Sequence, residues 1–266
     1  LQKRYLQDLK YISKLLEKYK PFVFYGTLLG ITREKNLIKN ERLISHGNYL
    51  KIENFLDNLF LNKKINILIQ IGANDGLRFD ILNSFIKKYL PKVILVEPIE
   101  ANYKNLLLNY KSQPNVFYEN SAITVENEIN HLYKVNEAKL INYDDHVVGI
   151  TSFEKNHLIK HGVKNNDIIK EKINSISINE LLSKYNIKEF DLLYIDAEGY
   201  DGKIVTDFLN KNTSRPFIIF EYIHINHKIL NKTLNTLKEK KFFYFKIDEN
   251  IISIPEEKKG LVSFFN

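Results

Sequence analysis

Apolar and polar positions follow two rhythms along this chain. Leu1, Tyr5, Leu9, Ile12, Leu16 and Tyr19 recur at helical spacing, and Pro21 ends that pattern. Phe22–Tyr25 is a short strand candidate before Gly26. Ile52, Phe55, Leu56 and Leu59 mark one face of a second helix over Tyr49–Phe60. From Ile65 onward compact apolar runs alternate with helical-period segments. The runs predict strands at Ile65–Ile71, Val93–Glu97, Val116–Tyr118, Asp191–Ile195 and Phe217–Tyr222. The segments between and after them predict helices at Phe79–Tyr89, Asn102–Tyr110, Ile178–Tyr185, Gly202–Leu209 and Lys228–Lys240. Ser177-Ile178-Asn179-Glu180 has the form of a capping box and fixes one helix start. Two last strands, Phe242–Lys246 and Ile251–Ile254, flank an Asp248-Glu249-Asn250 turn and predict an antiparallel C-terminal hairpin.

Strands alternating with helices predict an α/β fold: a mainly parallel sheet with helices on both faces. Residues 134–170 interrupt the alternation. They read as polar and irregular, carry Asp144, Asp145, His146, His157 and His161, and are expected to form an insertion. The expected organisation is an N-terminal helical extension over 1–60 and a main domain over 61–266.

In such folds ligands gather at the carboxyl ends of strands. After the first strand stand Gly72, Asn74 and Gly76, a glycine turn of the kind that lets backbone approach a nucleotide-like ligand. After the second stands Glu97, placed to take ribose hydroxyls. Glu119-Asn120-Ser121-Ala122 follows the third. The fourth runs into Asp196-Ala197-Glu198-Gly199-Tyr200-Asp201, and the fifth into Glu221-Tyr222-Ile223-His224. Acidic residues therefore collect along one sheet edge, where clustering is costly unless it serves a cation, a proton transfer or hydrogen bonds.

The set Ile-Gly-Ala-Asn-Asp-Gly, Val-Glu-Pro, Ile-Asp-Ala-Glu-Gly-Tyr-Asp and Ile-Phe-Glu-Tyr resembles the FkbM family of S-adenosylmethionine-dependent methyltransferases over roughly Ile65–Phe245. Gly149–Phe153, with His157 and His161 after it, is similar to that family's middle region. The resemblance implies a Rossmann-like class I methyltransferase with a seven-stranded sheet and S-adenosylmethionine as cofactor. It implies that Gly72, Asn74 and Gly76 contact the cofactor's amino-acid end. Glu97 would hold the ribose, Ser121 and Ala122 would border the adenine, and Asp196 would face both cofactor and reaction centre. It also implies O-methylation of a sugar, glycan precursor or other small-molecule hydroxyl, with a place in polysaccharide biosynthesis. For the proton on that hydroxyl the candidate bases are Asp196, Glu198, His161 and His224, with Asp196 first because it ends the fourth strand. Ser152, His157, Asp201, Glu221 and His224 are the expected acceptor contacts.

A divalent metal shared by Asp196 and Glu221 is an alternative. His157 and His161 have zinc-like spacing, but no third ligand is evident beside them, so no metal is assigned. Phe24–Arg33, with Ile38, resembles the opening of LicD-type phosphotransferases. Asn40, Glu41 and Arg42 stand where that family's aspartates are expected, so the segment reads as a degenerate motif.

Composition narrows the classes further. The chain of 266 residues has no Cys, which excludes a disulfide framework and Cys-ligated metal. Its net charge of +7 comes from Lys; the only Arg are Arg4, Arg33, Arg42, Arg78 and Arg215. The Lys are dispersed, and Lys160 and Lys170 read as a solvated face before they read as a site for an anionic acceptor. No Asn/Asp-Pro-Pro-aromatic element follows the fourth strand, so nucleic acid is not expected as a partner. No apolar run is long enough to span a membrane, and a cytoplasmic location is expected. The amphipathic first helix offers a face for a homo-oligomer. With no Met and a start at Leu1, residues are expected to be missing from the chain as written. Continuity is least assured across Arg42–His46.

Overall fold

The structure is a computed structural model. It describes residues 20–24, 27–32, 37–38, 51–61, 65–78, 80–125, 130–144, 147 and 149–261. The expected helix over Leu1–Tyr19 lies outside the described residues, as do Asp145 and His146. Strands β1 (Lys20–Phe24), β2 (Thr27–Thr32) and β3 (Leu37–Ile38) form a small antiparallel sheet within the segment expected to be helical. The LicD-like motif falls on β1 and β2, and its Tyr25, Gly26 and Arg33 are outside the described residues. Helix α1 (Ile52–Leu61) follows and crosses the expected boundary at residue 60.

The main sheet contains β4 (Ile67–Ile71), β5 (Lys92–Val96), β6 (Val116–Glu119), β12 (Leu192–Ile195), β13 (Phe217–Glu221), β14 (Phe242–Ile247) and β15 (Asn250–Pro255). Its order is β14-β15-β13-β12-β4-β5-β6. Neighbours from β6 to β13 are parallel, and β15 pairs antiparallel with both β13 and β14. The last strand thus enters the sheet between two that run the other way. The expected terminal hairpin and mainly parallel sheet are both present.

Burial on two faces explains the apolar runs. Leu68, Leu95, Leu192 and Ile219 meet α1, α2 (Asn83–Tyr89) and α3 (Glu100–Asn109) on one side. Ile69, Ile94, Leu193 and Ile218 meet α5 (Ile178–Lys184), α6 (Asp201–Lys211) and α7 (His227–Glu239) on the other. Alternate residues of one strand serve opposite layers, so the strands read as near-continuous apolar runs. The capping box at α5 is present: Ser177 Oγ accepts from Glu180 N–H, and Glu180 accepts from Ser177 N–H. Helix α2 starts at Asn83 rather than at Phe79. Asp80 Oδ1 accepts the Leu82 N–H at 2.9 Å and holds a turn there instead.

Among the described residues, the segment expected to be an irregular insertion contains regular elements. Strands β8 (His131–Val135), β9 (Thr151–Ser152) and β10 (Ile168–Lys172) form an antiparallel sheet in the order β10-β8-β9. With α4 (Lys155–Lys160) it closes its own core of Val135, Val147, Ile150, Leu158, Val163 and Ile168. Only alternate residues of such strands point inward, so short ones leave no apolar run to read. A parallel pair, β7 (Ala122–Ile123) with β11 (Ser175–Ile176), ties the insertion to the main sheet's edge.

Candidate functional site

Strand β4 sits between β5 and β12, and the chain leaves it first toward β6 and later returns to β12. That reversal opens a crevice at the carboxyl ends of the strands. Two adjoining clefts lie there, with empty volumes of about 560 Å³ and about 440 Å³. The first is polar, with Gln70, Asn74, Arg78, Asp80 and Asn102 in its wall. The second is more apolar, with Ile71, Val96, Pro98, Ile123, Leu132 and Phe153. Gly72, Glu97, Thr151, Asp196 and Glu198 line both. Thr151, Phe153 and Gly149 come from the insertion, which therefore roofs the crevice.

Glu97 is 4% exposed and turns its carboxylate back on the chain. Asn74 N–H donates to Oε2 at 2.9 Å and Ile99 N–H donates to Oε1 at 2.8 Å. Burial pushes this carboxyl up to about 7, against the opposing pull of those two amides. At the far end of the second cleft, Ser121 Oγ donates to Glu119 Oε1 at 2.8 Å. Glu119 also receives Lys184 Nζ at 2.7 Å. Ser121 and Ala122 both line this cleft.

The two glycines of the first turn are set by chain packing. Gly72 has φ +82°, and a Cβ there would meet the Asp196 backbone oxygen at 1.8 Å. It lets β4 and β12 run side by side into the crevice. Gly76 has φ +69°, and a Cβ would press on Leu106 and Tyr110 at 2.5 Å. Gly76 lines neither cleft, and the lack of a Cβ there lets α3 pack against the turn.

Asp196 stands just beyond β12, exposed to the crevice but hemmed in by protein. Its carboxyl is pushed up to about 7 by desolvation first, then by Glu198, Asp80 and Glu249. Asp201 differs. It is 0% exposed, and its oxygens accept the Ala197 and Gly199 N–H groups at 3.2 and 3.1 Å. A side chain so enclosed holds the turn after β12. Ser152 is buried, its Oγ 3.4 Å from the Glu198 carbonyl oxygen, so it also supports that turn. Glu198 occupies the left-handed region at φ +48°, a strained state for a non-glycine residue.

His157 and His161, on and just after α4, meet His224 from the loop after β13. His157 Nε2 and Glu198 Oε2 are hydrogen-bonded at 3.1 Å. Glu221 Oε2 lies 3.7 Å from His224 Nε2. Burial raises the Glu221 carboxyl to about 9, reinforced by Asp196 and Glu198.

The sequence of residues 70–244 matches the model of the methyltransferase FkbM domain. The chain belongs to the FkbM methyltransferase family. The sheet order, with its reversed last strand, is the Rossmann-like class I methyltransferase arrangement. No curated protein matches the chain in sequence. Among solved structures, it is similar to a methyltransferase FkbM from Methylobacillus flagellatus KT at 13% identity and TM-score 0.43, over 71% of this chain and 44% of that one. It is similar to a putative O-methyltransferase from Klebsiella pneumoniae at 10% identity and TM-score 0.44, over 79% and 82%. It is likewise similar to an O-methyltransferase from Bacillus cereus in complex with SAH at 10% and TM-score 0.41, over 79% and 83%. An FkbM methyltransferase is a methyl-transferring enzyme whose family uses S-adenosylmethionine.

In this FkbM methyltransferase the crevice also holds residues that strand-end reasoning passed over. Gln70 is buried inside β4, and its Oε1 has no hydrogen-bond partner. Its Nε2 donates to Asp80 Oδ1 at 3.0 Å, while Tyr110 OH donates to Asp80 Oδ2 at 3.1 Å. A polar Gln within an Ile-rich strand was the available signal. Arg78 and Asn102 carried none, because only the fold brings them to the cleft; Thr151 lay within the Gly149–Phe153 segment already singled out.

Proposed function

We propose that this enzyme transfers the methyl group of S-adenosylmethionine to a hydroxyl of a sugar, a glycan precursor or another polyhydroxylated small molecule. The crevice fits that cofactor. Its polar cleft offers an orphaned buried acceptor, Gln70 Oε1, together with the Arg78 guanidinium, to an ammonium and a carboxylate. Its more apolar cleft offers Ile71, Val96, Ile123 and Phe153 to a flat base, beside Ser121 and Ala122. Glu97, in the wall common to both, is the carboxylate for the ribose hydroxyls. Asn74 and Gly72 complete the turn under the amino-acid end. When bound, the cofactor supplies an electrophilic methyl on a sulfonium.

The observation that carries the O-methylation reading is the place of Asp196. Its carboxylate stands in the common wall, open to the crevice, beyond the strand at the topological switch. There Asp196 takes the proton of the acceptor hydroxyl as that oxygen attacks, and the proton ends on its carboxylate. Glu198 borders the same point. His161 and His224 stand behind it as polar contacts for the acceptor, with His157 and Glu221. These carboxylates disfavour a phosphodiester acceptor and suit a neutral polyol.

A labelled-methyl assay against glycan precursors and cell extracts tests the reading, with calorimetry for S-adenosylmethionine and its demethylated product. Label is expected in a product with an ether-linked methyl. Asp196→Ala is expected to bind cofactor, keep its fold and lose turnover. Label on nitrogen, or undiminished turnover in Asp196→Ala, sinks the O-methylation mechanism.

A further inference from the structure

Three imidazoles converge above the crevice. The ring centres of His157 and His161 are 4.7 Å apart, those of His157 and His224 are 4.8 Å apart, and those of His161 and His224 are 4.9 Å apart. One nitrogen from each ring can be chosen so that all three lie within 4.8 Å of one another. Helix α4 and the residue that ends it present the first two from positions four apart, and the loop after β13 brings the third across the sheet edge. We propose that His157, His161 and His224 bind one divalent transition-metal ion of the zinc class.

The ring spacing is near what such an ion requires, and the nitrogens, which lie within 4.8 Å of one another, would draw in to about 3.3 Å on binding it. Metal–nitrogen bonds of about 2.0–2.1 Å at tetrahedral angles set three imidazole centres roughly 5 Å apart. The observed triangle is within a few tenths of an ångström of that and nearly equilateral. Charge agrees with the geometry. Glu198 Oε2 lies 3.1 Å from His157 Nε2 and 4.0 Å from His224 Nε2, and Glu221 Oε2 lies 3.7 Å from His224 Nε2. Two carboxylates against the ligand rings offset a dication and orient the imidazoles. A set of imidazoles favours zinc, nickel, copper or iron over magnesium and calcium, which take oxygen ligands. The His157, His224 and Glu198 side chains are 11%, 20% and 24% exposed, so an ion there stays open to solvent.

Three protein ligands leave a coordination position free. Glu198 lines both clefts, so that position faces the space proposed for the acceptor. An acceptor hydroxyl bound there becomes a stronger acid and yields its proton to Asp196 more readily. This role rests on the proposed methyl-transfer reading; the metal site itself does not.

The test uses the full chain without an affinity tag, dialysed free of metal and titrated with Co²⁺ or Zn²⁺. Stoichiometric uptake is expected, with the visible absorption of tetrahedral Co²⁺ and a rise in melting temperature on adding Zn²⁺. His161→Ala and His224→Ala should lose both signals while circular dichroism shows them folded. His131→Ala, at a histidine outside the triangle, should keep both. If the wild-type chain takes up no Co²⁺, or if Zn²⁺ raises the melting temperature of the two variants as much as that of the wild type, the assignment is overturned. Calorimetry with the demethylated cofactor on the same samples separates the two proposals. Metal uptake without cofactor binding would remove the methyl-transfer reading and leave the metal site. Cofactor binding without metal would do the reverse.

Discussion

Replacing Glu97 by Gln gives a quantitative test of how the crevice is built. The carboxyl is 4% exposed and its pKa is raised from 4.5 to about 7. The shift of about 2.5 units, at 1.36 kcal/mol per unit, is worth about 3 kcal/mol. The sign follows from proton counts. Between pH 4.5 and 7 the unfolded chain has released this proton and the folded chain still holds it. Stability therefore falls as pH rises through that window and is level in this respect above it. Glu97→Gln has no proton to lose. Its Nε2 must also face the N–H of Asn74 or Ile99, which costs about 1–3 kcal/mol at every pH. Urea denaturation of both proteins across pH 4.5–8 reads the difference and cancels the titration of Asp196, Glu221 and the other carboxylates. The wild type should lose about 3 kcal/mol more than the variant between pH 4.5 and 7. A difference that stays constant within about 0.5 kcal/mol would refute the buried, amide-held carboxyl. Cofactor hydroxyls donating to Glu97 favour its ionised form, so binding near pH 6 should release a proton. Calorimetry in buffers of different ionisation enthalpy detects that release, and Glu97→Gln should abolish it.

Other outcomes follow from the same geometry. With Asp196 as base and its carboxyl near 7, kcat/KM should rise tenfold per pH unit below about 7 and then level off; an Asp196→Asn variant that keeps both the rate and this profile would remove it from the reaction. Gly72→Ala drives a Cβ to 1.8 Å from the Asp196 backbone oxygen at φ +82°, and should cost about 3 kcal/mol or more, or prevent folding. A loss under about 1 kcal/mol in chemical denaturation would show that β4 and β12 are less tightly joined there. Ser177→Ala breaks the capping box of α5 and should cost about 1 kcal/mol, measured in the same way, without changing cofactor affinity.

The main sheet was legible because burial on both faces turns a strand into a nearly continuous apolar run, broken in β4 only by Gln70. Ile67–Ile71 and Leu192–Ile195 could be read without their neighbours. The strand-end positions of Glu97 and Asp196 followed from the same runs. Residues 131–172 were not legible, since their strands bury one side only and pair across a long loop. Val135, Ile150 and Ile168 meet only after the chain has folded. How Gly76 and Asp201 pack was not legible for a related reason. A glycine or an acid beside a ligand turn looks the same in sequence whether it faces the ligand or braces the turn. Only the Leu106 and Tyr110 contacts, and the amides of Ala197 and Gly199, tell them apart.

The histidines show where single-sequence reasoning stops. His157 and His161 announced a helical pair, but the third corner lies 63 residues beyond His161, on a different strand loop. Nothing local to His224 marks it as a partner. What brings it in is the parallel pairing of β12 with β13, which sets the loops after both strands side by side at one edge. The same pairing brings Glu198 and Glu221 against the imidazoles. Acids at successive strand ends are thus one consequence of sheet order, and the imidazole triangle is another. The insertion supplies two of its corners and also roofs the crevice. A metal there would link the roof to the sheet, so its removal should loosen the roof as well as the acceptor side. Hydrogen exchange over α4 with and without Zn²⁺ would register that coupling; unchanged protection in α4 would confine any ion to a local role.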